Sequence, residues 1–302
     1  MTKDVLVVGE ALIDIVIPLD GESAEHVGGS PANVAIGLAR LGHPTALATR
    51  FGRDERGERI RALMEGEHVI LVPGSNAAPR TSTALARLDS RKVATYEFDL
   101  DWQADPGLVA PEGGHLHTGS IAATLPPGGE AVARIVEASR AHATVSYDPN
   151  ARPSLMGDPA DAVVLIEHLI ALSDVVKASE EDVEWLYGTT PADALDRWSA
   201  LGPRLVMITL GPDGVLVRCA GETRAFPSAP VSVADTVGAG DSFMSGVLSG
   251  LLDAGLLGGI EGRERLRAAT LDDVAPAVER ALACAGITVS RAGANPPRRD
   301  EL

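Results

Sequence analysis

The chain has 302 residues, enough for one large α/β domain with a substantial core. Its 26 basic and 42 acidic residues leave a formal charge of -16, which disfavours nucleic acid and anionic membrane surfaces as partners and leaves a small neutral ligand open. Its 2 cysteines, Cys219 and Cys284, lie far apart without a C-x-x-C spacing, so neither a disulfide framework nor a zinc site is indicated.

Met1 to Glu10 lacks the basic start and apolar core of a secretory leader, and no apolar run approaches the ~18 residues of a membrane span, so a cytoplasmic protein is expected. Val5-Leu6-Val7-Val8-Gly9 is a β-branched run closed by glycine, the form of a strand buried on both faces of a parallel sheet. Asp14 stands in the next apolar segment, among Ile13, Ile15, Val16 and Ile17. Gly28-Gly29-Ser30-Pro31-Ala32-Asn33 feeds a helix from Val34 to Leu41 that Gly42 ends; by itself this loop reads equally as a close-packed turn or a binding loop. A strand from Thr45 to Thr49 and a helix from Asp54 to Glu65 continue the βα alternation.

Thr81 to Leu88 and Lys92 to Asp99 are β-prone runs around Asp89-Ser90-Arg91 and read as a hairpin, with Tyr96 and Phe98 assigned to packing. His115 and His117 share one face of a strand, and without a third ligand nearby in sequence they read as structural. After a helix from Gly129 to Ala141 and a strand from Ala143 to Tyr147, Asp148, Asn150 and Arg152 alternate just past the strand, at the sheet edge where open α/β folds bind ligands. Asp174 to Lys177 is a further strand, and Ser179 caps a helix whose first turn is acidic and which runs through Trp185 and Leu186. Leu205 to Leu210, the turn Gly211-Pro212-Asp213-Gly214 and Val215 to Val217 form a second hairpin.

Asp235-Thr236-Val237-Gly238-Ala239-Gly240-Asp241 then opens a helix whose apolar positions Phe243, Val247, Leu248, Leu251 and Leu252 recur at helical spacing. The first amides of a helix lack intrahelical partners, so Gly238, Ala239 and Gly240 are placed to cradle an anion. Asp241 beside that anion makes chemical sense as an acceptor of a proton from an attacking hydroxyl; as a bare tetrapeptide, Gly-x-Gly-Asp is equally a turn with Asp as helix cap. Residues 274–287 form an alanine-rich helix, and no repeat or linker divides the chain.

The Asp235–Asp241 stretch, together with the Gly-Gly-x-Pro-Ala-Asn loop in the right order, resembles the signatures of the ribokinase-like, phosphofructokinase-B-type sugar kinases, and the resemblance covers essentially the whole chain. It implies one ribokinase-like domain over 1–302: a three-layer α/β/α fold with a mostly parallel sheet and a small β-sheet lid from segments 12–28 and 81–101. It implies a phosphotransferase acting on a sugar hydroxyl, with ATP and Mg²⁺ and in some members a monovalent cation such as K⁺. The catalytic base is then Asp241, with Gly238, Ala239 and Gly240 as the anion hole. Asp14, Gly28, Gly29, Asn33 and Arg152 line the sugar pocket. Lys177, Thr209, Gly211, Gly214, Thr236, Gly238 and Gly240 lie toward the nucleotide.

Asp182 serves Mg²⁺ through water in this reading, and Asp235 the monovalent cation, although Ser179 and Asp182 stand where many members carry Asn-x-x-Glu. Asp148 to Leu155 resembles Asp-x-Asn-x-Arg-x-x-Leu-Trp of fructokinases and ketodeoxygluconate kinases, with Met156 in place of the Trp. Fructose or a related keto sugar is therefore the expected substrate, ahead of 2-keto-3-deoxygluconate, ribose or a nucleoside, and a homodimer through the lid is expected. A sugar-binding regulator without catalysis is the alternative of another class, and the intact Asp241 argues against it. A nicotinamide-dependent dehydrogenase would need a G-x-G-x-x-G after the first strand, which is missing.

Overall fold

A computed structural model of the chain describes residues 4–17, 23–88 and 94–302. The strands are, in chain order, β1 (Val5–Val8), β2 (Leu12–Ile17), β3 (Ala24–Gly28), β4 (Thr45–Ala48), β5 (Ile70–Leu71), β6 (Thr83–Leu88) and β7 (Ala94–Asp99). They continue with β8 (His115–Gly119), β9 (Thr144–Asp148), β10 (Val175–Ser179), β11 (Leu205–Thr209), β12 (Val215–Cys219) and β13 (Glu222–Phe226).

Nine strands form the main sheet in the order β13-β12-β11-β10-β9-β8-β1-β4-β5. Its strands from β5 through β11 pair in parallel, and β12 and β13 add an antiparallel edge. The pleat divides each apolar strand between two cores. Val5, Val7, Leu205 and Met207 face one core, with the helices Ser30–Arg40, Ala239–Asp253 and Leu271–Val289. Leu6, Val8, Val206 and Ile208 face the other, with Gly128–Ser139, Pro159–Leu172, Glu180–Tyr187 and Pro191–Leu201. Continuous apolar strands thus require helices on both sides, which gives three layers.

A second sheet, β3-β2-β6-β7, stands apart from the first. Its outer pairs are antiparallel and its central pair, β2 with β6, is parallel, so the expected hairpin β6–β7 is present within a mixed sheet. The turn at 89–91 and the Tyr96 side chain lie outside the described residues. Leu12, Ala84 and Ile121 pack together with Phe98, joining this sheet to the main domain beside the carboxyl ends of its strands.

The Ala239–Asp253 helix lies tightly on Leu271–Val289. A Cβ on Gly246 would come within 2.8 Å of the Ala281 Cα, and one on Gly250 within 2.6 Å of the Ala277 Cα. These glycines let two backbones meet and hold the start of the first helix in place. Among the described residues no helix is long and apolar enough to cross a membrane.

Candidate active site

In the main sheet β1 lies between β4 on one side and β8 on the other, and a cleft opens above this point at the carboxyl ends of the strands, where open α/β sheets hold ligands. Glu10 follows β1, Ser120 follows β8, Asn150 follows β9, and Lys177 stands in the middle of β10. Leu12, Asp14, Ala84 and Phe98 of the small sheet form the opposite wall of a cavity of about 370 Å³. Phe98 both lines this cavity and packs against its neighbours, so the choice between pocket and packing does not arise.

The floor is the start of the Ala239–Asp253 helix. Gly238 caps it at φ 76, a conformation that side chains disfavour, and a Cβ there would also meet Ala294 at 2.6 Å. The amides of Gly240 and Asp241 have no carbonyl acceptor among the described residues, and they are the donors that a helix start offers to an anion. The buried Lys177 ammonium faces them: a Cβ on Gly240 would approach its Nζ to 3.0 Å, so the glycine keeps this gap open. Free amides, a cation and glycine space suit a phosphoryl group.

Asp241 is buried and fixed by two donors. The Ser30 hydroxyl donates to Oδ1 at 2.6 Å, and Asn33 Nδ2 donates to Oδ2 at 2.8 Å. The first turn of the Ser30–Arg40 helix thereby aims the carboxylate into the cleft. Asn33, expected on the sugar alone, also orients the carboxylate.

Asp14 projects from β2, and burial pushes its carboxyl up to about 6 against the pull of Arg152. Gly28, across the β2–β3 ladder, does not line the cavity; it lies behind Asp14, where a Cβ would sit 1.9 Å from Oδ2. Gly29, at φ 107, lines the cavity with Arg152, whose Nη1 donates to the Asn150 side-chain and main-chain oxygens. Lys177 donates to Asp148 Oδ2 at 2.8 Å with both groups buried. Burial alone would lower the lysine, but Asp148, Asp182 and Asp241 outweigh it and hold the ammonium above its ordinary value. Burial pushes Asp148 up, opposed by the same lysine.

Five other expected residues lie outside the cavity lining. Thr209 ends β11, Gly211 and Gly214 follow it, and none of the three lines the cavity; Gly214 permits a close approach, since a Cβ would meet the Phe226 carbonyl at 2.0 Å. Asp182 accepts from the Ala151 amide and, in a capping box, from the Ser179 amide, so both its oxygens hold backbone together. Thr236 lines the cavity, while Asp235 joins the preceding loop to the next turn by accepting from the amides of Val237 and Gly293. His115 and His117 are buried and bonded to Thr144 and Ser146, which accounts for both as structural residues.

Pattern reading passes over Glu10, Ser30 and Ser120. Glu10 is buried in the cleft wall and accepts from the Ala122 amide at 3.2 Å; burial pushes its carboxyl up to about 7. Its readable signal is a carboxylate directly after the glycine that closes β1.

The sequence pattern of pfkB family carbohydrate kinases matches residues 2–301. The chain belongs to this family. It is therefore a phosphotransferase with an alcohol group as acceptor, in a family whose kinases use ATP and a divalent metal. A fructokinase from Klebsiella pneumoniae is 35% identical over 266 residues, covering 85% of this chain and 87% of the relative. One from Rhizobium leguminosarum bv. trifolii is 36% identical, covering 82% and 79%.

Among solved structures, a double mutant of fructokinase from Vibrio cholerae O395 bound to fructose, ADP and potassium ion superposes with a TM-score of 0.80 at 27% identity, over 97% of this chain and 94% of that one. Aminoimidazole riboside kinase from Salmonella enterica, complexed with aminoimidazole riboside and an ATP analog, gives 0.79 at 27% identity, over 96% and 95%.

Proposed function

We propose that this carbohydrate kinase transfers the γ-phosphoryl group of ATP to a hydroxyl of fructose or a related keto sugar, with Asp241 as the base. The observation that carries this reading is the Asp241 carboxylate, fixed by Ser30 and Asn33 at the mouth of a helix start whose amides are free. The choice of fructose rests on the fructokinase relatives and on the Asp148-x-Asn150-x-Arg152 segment at the cleft edge.

Asp14, Gly29, Asn33 and Arg152 would bind the sugar, and Gly28 leaves room for the Asp14 carboxylate. ATP with Mg²⁺ supplies the phosphoryl group and neutralises its charge. Mg²⁺ keeps much of its water and bonds substrate phosphates, so it needs no cage of protein ligands. Lys177 and the amides of Gly240 and Asp241 would stabilise charge on the group in transit. A carboxylate with a reference pKa of ~3.9 cannot deprotonate a free alcohol beforehand. Asp241 therefore accepts the proton late, as the hydroxyl attacks a loose, metaphosphate-like group.

The small sheet would act as a lid that excludes water from the closed cleft and would pair between two copies of the chain, in the cytoplasm. With both Asp235 oxygens bonded to amides, a monovalent cation nearby would draw on main-chain carbonyls. Competition calorimetry with fructose, ketodeoxygluconate, ribose and nucleosides tests the substrate: a nucleoside binding far more tightly than fructose would overturn the choice of a keto sugar.

A further inference from the structure

Three arginines line one cavity at the amino edge of the main sheet, opposite the sugar cleft. Arg204 immediately precedes β11, Arg218 lies on β12, and Arg267 is in the last turn of the Gly259–Ala268 helix; the cavity measures about 470 Å³. Asp196 is the carboxylate lining it, with Oδ1 2.7 Å from Arg218 Nη1. Arg204 donates Nη2 to the Ala269 carbonyl at 2.6 Å. Asp174, whose carbonyl receives the Arg204 amide, spends its carboxylate on Arg263 and the Val145 amide. Arg267 is exposed and makes no ion pair or hydrogen bond among the described residues.

Three guanidinium groups therefore face a single carboxylate, a local excess of positive charge in a chain whose formal charge is -16. The wall also holds unmet polar groups: Nε of Arg204, Nε of Arg218 and the Ser199 hydroxyl are buried with no partner among the described residues. Crowded cations repel one another, and buried donors without acceptors are disfavoured. An oxyanion in the cavity offsets the first. Guanidinium forks match tetrahedral oxyanions, and a phosphate carries about -1.5 to -2 charges at neutral pH with three strong acceptor oxygens, enough to offset the arginine excess.

We propose that this pocket binds phosphate, either as the free anion or as the phosphate group of a monoester or nucleotide. Arg218 and Arg267 hold its oxygens, and Arg204 supplies the charge behind them. The cavity has room for an organic group beside the phosphate. This assignment is independent of the sugar substrate, because its readout is binding and not turnover.

The test is calorimetric titration of the full chain at constant ionic strength with inorganic phosphate, fructose 6-phosphate and ADP in separate arms. Wild type is compared with Arg267→Gln, an exposed position that leaves the fold intact, and with Arg218→Gln. Wild type binds at least one of these ligands, Arg267→Gln weakens that binding about tenfold or more, and sugar kinase turnover is unchanged; a factor of this size is the loss of one charge-assisted contact. Weakening confined to inorganic phosphate assigns the pocket to the free anion, and weakening of an ester or nucleotide assigns it to that compound. ADP and a sugar phosphate also enter the sugar cleft, so the decision rests on the variant: affinities that stay within about twofold of wild type in every arm overturn the proposal. If Arg218→Gln fails to fold, Arg267→Gln alone decides.

Discussion

The Ser30 hydroxyl and the Asp241 carboxylate meet at 2.6 Å although 211 positions separate them in the chain. One is the first residue of the Ser30–Arg40 helix that follows β3 and the other stands in the first turn of the Ala239–Asp253 helix, so each signature motif is incomplete without the other. Ser30→Ala removes a donor to Oδ1 and leaves Asn33 as the remaining side-chain support. A hydrogen bond to a charged group contributes about 1.5–3 kcal/mol. The expected result is a fall in kcat of about tenfold or more with little change in sugar KM, measured by steady-state kinetics. Equal rises in KM with unchanged kcat would make Ser30 a sugar-binding residue instead.

If Asp14 binds the sugar as proposed, Gly28 acts on the sugar through it. A methyl group in Gly28→Ala would sit 1.9 Å from Asp14 Oδ2 and must displace the carboxylate. Sugar KM should rise about tenfold or more, as expected for loss of a charged hydrogen-bonding group, while ADP affinity by calorimetry stays close to wild type.

Lys177 and Asp148 form a buried pair at 2.8 Å. Lys177→Met strands the Asp148 carboxylate and should cost about 3–5 kcal/mol in denaturant unfolding. Adding Asp148→Leu should restore much of that stability without restoring turnover. Restored turnover in the double variant would assign the pair to the fold alone.

Burial also gives the cleft a pH signature. Burial pushes the Glu10 carboxyl up to about 7 in the folded chain against an ordinary 4.5, so its stabilising contribution is full below the unfolded value and is lost as pH rises through the folded one. By about pH 7 the loss approaches 3 kcal/mol. Thermal unfolding from pH 4 to 8 should therefore show Glu10→Gln gaining on wild type as pH rises. A constant difference between the two proteins would show that Glu10 does not titrate in this way.

Much of the site is legible in the sequence because its chemistry demands particular residues locally. Gly238 needs a positive φ, Gly240 must leave space before Lys177, and Asp241 stands in the first turn of a strongly periodic helix. The support behind Asp241 is tertiary, and nothing local to Ser30 announces it. The same holds for Glu10, whose raised carboxyl arises from burial created by the whole fold.

Helix Pro159–Leu172 is nearly continuously apolar from Ala162 to Ile166, which blurs its face; its legible signal is Asp158 as cap, accepting from the Ala160 amide, with Pro159 next. Strand β3 is polar and partly exposed, so its pairing with β2, and not its composition, makes it a strand. Thr209, Gly211 and Gly214 carry a motif whose conformational needs are met outside the cavity.

The central claim is that Asp241 accepts the proton of a sugar hydroxyl during phosphoryl transfer. The most direct measurement is fructose-dependent ADP release from ATP and Mg²⁺, comparing wild type with an Asp241→Asn protein shown to be folded and to bind fructose. Wild type should release ADP and the variant should lose about 10²–10⁴-fold in rate, the range of a general base. Near-normal turnover by Asp241→Asn would contradict it.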